Sequence, residues 1–158
     1  MNRLIRGVGM KAKDFWEFLC NEMDYRFFTG VPCMGLKTIY DKMSSKLMYY
    51  VPATKESVAL GIASGVSLSG IRSAVLININ RVYNLMDWLT SFNLEYNIPL
   101  LIIAAGKKED LAVGSLFSTY KIPCRNLKTI GDIKYITNKI KKFNKPGVLF
   151  VGEGVVSK

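Results

Sequence analysis

Between residues 10 and 24, apolar side chains recur at steps of three and four, at Ala12, Phe15, Trp16, Leu19 and Met23. Lys11, Lys13, Asp14, Glu17 and Glu22 fill the other side, which is the pattern of an amphipathic helix. Residues 25–29 read as a short strand halted by Gly30-Val31-Pro32, and residues 36–43 as a second helix. The alternation repeats with a strand at 47–51, a turn at Pro52 and Ala53, and a helix at 54–68, with Thr54 as its N-cap and Gly70 just past its end. Residues 73–78 are aliphatic on both faces, as suits a parallel strand covered on both sides. Helical residues 83–95, a strand at 98–104, a helix at 109–120 and a short edge strand at 125–127 follow. A helix at 132–143, with Ile133, Ile136 and Ile140 inward, and a strand at 148–151 close the series. Six strand-like segments separated by helices predict an α/β fold: one doubly wound, mainly parallel six-stranded sheet with helices on both faces. Residues 10–158 are expected to form a single domain, and residues 1–9 a disordered leader or the product of an upstream start codon.

Composition narrows the chemistry. The chain has 158 residues, 49% hydrophobic and 22% charged, enough for one globular domain with a sizeable core. It contains no histidine, so a Ser-His-Asp triad, a Cys-His dyad or a histidine-ligated metal cannot come from this chain alone. Its formal net charge is +10, but the basic residues are spread evenly, 11 before residue 100 and 11 after it. The dense run from Lys139 to Lys145 reads as the solvated face of a terminal helix without interleaved aromatic platforms, so no nucleic-acid partner is expected. Cys20, Cys33 and Cys124 make neither a disulfide framework nor a metal knuckle, which suits a reducing cytoplasm. The apolar run at 98–106 is far short of the roughly 20 residues of a membrane span, so no membrane partner is expected.

Doubly wound sheets bind ligands beyond the carboxyl ends of their strands, which directs attention to residues 30–35, 52–56 and 78–84. Glu56 opens a helix that carries no further charge up to Gly70 and includes Gly61, Ala63, Ser64 and Gly65, small residues suited to close packing on the sheet. A carboxylate at the edge of such a layer is a candidate acid or base, the helix dipole favouring its ionised form and a dry crevice its protonated one. The alternative is a helix-start carboxylate in water, paired with Lys55. The Gly30-Val31-Pro32 turn offers fixed backbone groups to a ligand or is an ordinary turn. Cys33 is either a thiol activated at a helix start or a buried, inert one. Asn78 and Asn80 are ring-reading amides or caps. No strand is followed by a GxGxxG or Walker loop, and no carboxylate cluster suggests a metal site in this chain.

Taken in order, four segments resemble the pyrimidine-binding half of thiamine-diphosphate-dependent decarboxylases. They are Arg26-Phe27-Phe28-Thr29-Gly30-Val31-Pro32, the stretch from Tyr50 through Glu56 to Gly65, Leu89-Thr90-Ser91-Phe92, and Tyr96-Asn97-Ile98-Pro99-Leu100-Leu101. The resemblance covers approximately residues 10–155 and is strongest to the phosphonopyruvate and sulfopyruvate decarboxylases. It implies that Glu56 hydrogen-bonds N1′ of the aminopyrimidine, favouring the imino form whose nitrogen removes the thiazolium C2 proton. Gly30, Val31, Pro32, Cys33, Asn78 and Asn80 are the corresponding cofactor-binding residues. The implied reaction is non-oxidative decarboxylation of 3-phosphonopyruvate or 3-sulfopyruvate to carbon dioxide and an aldehyde. In that family a second domain holds the diphosphate and Mg2+, so the resemblance implies an α subunit that needs a diphosphate-binding β subunit and self-associates through this domain. The sequence departs from the family at Arg81 and Tyr83, which stand where relatives have glycines, at Cys33, where relatives of the phosphonopyruvate type often carry an acid, and at 106–110, which lacks their histidine. Arg81, Lys107 or Lys108 is a candidate to neutralise a phosphonate or sulfonate. A non-catalytic scaffold that keeps the fold is the alternative from a different class.

Overall fold

Strand and helix alternate throughout the described residues, 9–106 and 111–157 of the computed structural model. A two-residue strand, β1 (Met10–Lys11), leads into α1 (Ala12–Glu17), which continues as a π-helical turn over Phe18–Glu22. Strand β2 (Phe27–Gly30) is followed by a 3-10 turn (Met34–Leu36), α2 (Lys37–Tyr40), β3 (Tyr49–Pro52) and α3 (Glu56–Leu68). After β4 (Ser73–Asn78) come a 3-10 segment (Ile79–Leu85), the short α4 (Met86–Trp88), a π-helical turn (Leu89–Asn93) and β5 (Leu101–Gly106). Then α5 (Leu111–Thr119), β6 (Cys124–Asn126), α6 (Ile130–Phe143), β7 (Gly147–Gly152) and β8 (Val156–Ser157) complete the chain.

Six strands form one sheet in the order β3-β2-β4-β5-β7-β6, and every pairing is parallel. The central strands carry apolar side chains on both faces because both faces are covered. In β4, Ala74 and Leu76 enter one core while Val75 and Ile77 enter the other. The first core takes Phe15, Trp16 and Leu19 from α1, Ile39 from α2, and Ile133, Ile136 and Ile140 from α6. The indole N–H of Trp16 donates to the Ile39 carbonyl at 2.8 Å, so this large side chain is buried without an unpaired donor. Ala59, Leu60 and Ala63 of α3 and Val113 and Phe117 of α5 fill the second core. There the Ser73 hydroxyl donates to the Ala63 carbonyl and ties α3 to β4.

The fold class is as predicted, and several local expectations are corrected. The first helix begins at Ala12, because residues 10 and 11 pair in parallel with β8 as a separate two-stranded sheet. Helix α3 starts at Glu56, with Lys55 as an extended N-cap that makes no side-chain cap, so Thr54 is not the cap. Ala63 and Ser64 pack inward, but Gly61 and Gly65 face away from the sheet, where an added Cβ would meet nothing within 4 Å. The helical stretch expected from 83 begins as a 3-10 segment at Ile79. On α6, Tyr135 and Phe143 do stand exposed among the basic residues, with Lys139 over both rings and Arg125 over Tyr135. Residues 1–8 of the leader expected at 1–9, as well as Lys107 and Lys108, lie outside the described residues. Among the described residues, no helix is long and apolar enough to cross a membrane.

Candidate active site

From β2 the chain steps outward to β3 and then crosses back over β2 to β4, so the crevice beyond the carboxyl ends of β2 and β4 is a topological switch point. A cavity of about 810 Å³ lies there. Its walls bring together Val31, Pro32 and Cys33 after β2, Glu56 at the start of α3, Asn78 at the end of β4 and Asn80 just beyond it. Among the described residues, Gly30 is the one predicted site residue absent from the wall. It pairs with Pro52 and Leu76 inside the sheet, where a Cβ would collide with the Leu76 carbonyl oxygen. Glycine is therefore required here by the close approach of two strands.

Glu56 is half-buried on the wall of this cavity, not sealed in a dry crevice. The side-chain amide of Asn84 donates to its Oε2 at 3.2 Å. Lys55, the partner considered from sequence, makes no ion pair with it among the described residues. Asn84, Thr54, Lys55 and Ser57 complete the wall together with Arg81. Sequence reasoning missed Asn84 because its contact spans 28 positions. One signal was present: Ile79, Val82 and Leu85 recur every three residues, and a 3-10 segment buries such a row while turning its other positions outward.

Cys33 precedes the 3-10 turn and is half-buried. Burial pushes its thiol up, and the nearby Glu56 carboxylate adds to this. The hydrogen bonds from the Leu36 and Gly35 backbone and from the Asn78 side chain lower it by less. Burial at this position therefore opposes activation of the thiol. Asn78 does serve as a cap, its Oδ1 accepting from the Asn80 backbone N–H at 2.9 Å.

A carboxylate acceptor, amide side chains and the Val31-Pro32 turn line the cavity as a mixed set of hydrogen-bond donors and acceptors. The wall contains no glycine-rich phosphate cradle. Among the described residues, no group of three or more Cys, Asp or Glu side chains is placed to hold a metal ion.

No family model matches the chain. Among curated proteins, the sulfopyruvate decarboxylase subunit alpha of Methanocaldococcus jannaschii is 27% identical over 139 residues, 78% of this chain and 82% of that one. The sulfopyruvate decarboxylase subunit alpha of Methanococcus maripaludis is 33% identical over 78 residues. The chain is similar to sulfopyruvate decarboxylase alpha subunits. The Methanococcus match takes in 49% of this chain and 47% of that one, so the chain spans about half the length of that relative. Among solved structures, benzoylformate decarboxylase from Polynucleobacter necessarius superposes with a TM-score of 0.72 at 19% identity, over 90% of this chain and 30% of that one. The 2-oxoglutarate:ferredoxin oxidoreductase from Magnetococcus marinus gives a TM-score of 0.70 at 14% identity, over 90% of this chain and 29% of that one. These two likenesses are of fold, and this chain spans less than a third of each.

Proposed function

We propose that this chain is the pyrimidine-binding subunit of a thiamine-diphosphate-dependent decarboxylase that acts on a 3-substituted pyruvate, 3-sulfopyruvate first and 3-phosphonopyruvate second. The observation that carries this reading is the Glu56 carboxylate, held by Asn84 and facing a cavity at the switch point of the sheet. The similarity to sulfopyruvate decarboxylase alpha subunits supports the order of substrates. When bound, thiamine diphosphate supplies the nucleophilic thiazolium carbon and the electron sink that decarboxylation of a 2-oxo acid requires.

The part of this chain is binding, orientation and one proton. Glu56 would share a proton with the pyrimidine N1′, and the Val31-Pro32 turn and Asn78 would help to hold the ring. Removal of the carboxylate from bulk water strengthens that hydrogen bond, and the half-burial of Glu56 goes part of the way toward it. The diphosphate and Mg2+ belong to a β subunit, whose docking beside the cavity would exclude the remaining water. The test is reconstitution with a candidate diphosphate-binding chain. Thiamine diphosphate with Mg2+ is expected to bind the pair and not the lone chain, and the loaded pair to release carbon dioxide from 3-sulfopyruvate. A loaded pair that leaves both acids intact overturns the decarboxylase reading. A pair that forms but never takes up the cofactor supports the scaffold instead.

A further inference from the structure

Arg81 and Lys55 both line the cavity, one from the 3-10 segment after β4 and one from the N-cap of α3. The direction of Arg81 is fixed by its neighbours. Ile79, Val82 and Leu85 are buried at three-residue spacing, which turns position 81 outward, and the bond from the Asn80 N–H to Asn78 Oδ1 pins the start of the segment. With 22 basic residues against 12 acidic ones, many cations have no carboxylate beside them, and what sets Arg81 and Lys55 apart is their place on the cavity wall. Among the described residues, the two make no ion pair, although they share a cavity with Glu56, whose Oε2 is bonded by Asn84. The wall thus presents two uncommitted cations and several amides against one carboxylate.

We propose that Arg81, assisted by Lys55, is the specificity-determining residue that holds the second acidic group of the substrate, so that the site prefers doubly anionic 2-oxo acids to pyruvate. A guanidinium offers two parallel N–H donors, which match two oxygens of a sulfonate, phosphonate or carboxylate, and Lys55 adds a point charge. This rests on the decarboxylase reading and deepens it by assigning the residue that reads the 3-substituent. The position is one where the resembling family has a glycine, so the contact would be this chain's own solution to recognition.

Two measurements test it. In the reconstituted enzyme, Arg81→Gln is expected to raise KM for 3-sulfopyruvate about tenfold to a hundredfold, the range for a hydrogen bond to a charged group, with little change in kcat. It should shrink the preference over pyruvate by the same factor, and Arg81→Lys should recover part of it. An unchanged preference overturns the proposal. The second arm does not need catalysis: 3-sulfopropionate, which has no keto group to react, is titrated into the full chain and followed by NMR, with propionate as control. Binding by the wild type that is lost in Arg81→Gln supports the proposal even where no acid is decarboxylated. Absence of wild-type binding, or equal binding by the variant, overturns it. Arg81 is exposed, so circular dichroism is expected to show an intact fold.

Discussion

Asn84 Nδ2 donates to Glu56 Oε2 across 3.2 Å, joining the segment after β4 to the first residue of α3. This bond leaves Oε1 available to a ligand and limits rotation of the carboxylate. Glu56→Gln is expected to keep the fold and abolish proton exchange at thiamine C2 in the reconstituted complex, measured by NMR in deuterium oxide. Asn84→Ala should lower the same exchange rate about tenfold, as for loss of one hydrogen bond to a charged group. Near-normal exchange in Glu56→Gln would remove this carboxylate from the mechanism.

The glycines of the chain separate by location. Gly30→Ala drives a Cβ into the Leu76 carbonyl oxygen, and a loss of about 1–3 kcal/mol is expected from the strand displacement that follows. Gly61→Ala and Gly65→Ala add a methyl where nothing lies within 4 Å. In the isolated chain each should stabilise α3 by about 0.5–1 kcal/mol. Urea unfolding of the three variants is the check, and a stabilised Gly30→Ala would contradict the sheet register.

Acid should weaken the start of α6. Burial pushes the Asp132 carboxyl up, but the Arg125 guanidinium at 2.6 Å and the Thr129 and Lys128 N–H groups outweigh it and hold the group below its ordinary range. A carboxyl lowered on folding contributes stability above its unfolded value near 3.9, and the contribution is lost as pH falls through the folded value. Asp132→Asn is therefore expected to cost about 1–3 kcal/mol at pH 7, with the gap to the wild type closing below about pH 4. Unfolding curves across pH 2–7 would show the convergence.

Burial raises the thiols of Cys20 to about 11 and of Cys124 to about 12. At pH 8 both should react with iodoacetamide at least about a hundredfold more slowly in the native chain than in the denatured one, since the thiolate is the nucleophile. Cys33, half-exposed at the cavity, should be the first to label. Mass spectrometry of a labelling time course measures all three.

The order of strands and helices was readable because two periodicities alternate along the chain, and the buried isoleucines at 133, 136 and 140 sit where the spacing put them. Glu56 was conspicuous as the last charge before the long uncharged stretch that runs from Ser57 to Gly70. Three features left no such trace. Strands β1 and β8 are two residues each, too short for any alternation to register. The N-cap moved from Thr54 to Lys55 because no side chain caps α3, so the cap preference that pointed to threonine had no role. Asn84 reaches Glu56 only once the sheet has brought β4 beside β2, a tertiary effect that no local pattern encodes.

The pairing of Met10 with Val156 and of Lys11 with Ser157 ties the beginning of the described fold to its end. Because the two strands run parallel, the chain enters this ladder at Met10 and leaves it past Ser157 at the opposite end. The ladder is only two residues long, so a short peptide would span the first and last described residues, and new termini opened in an exposed turn would leave the six-stranded sheet intact.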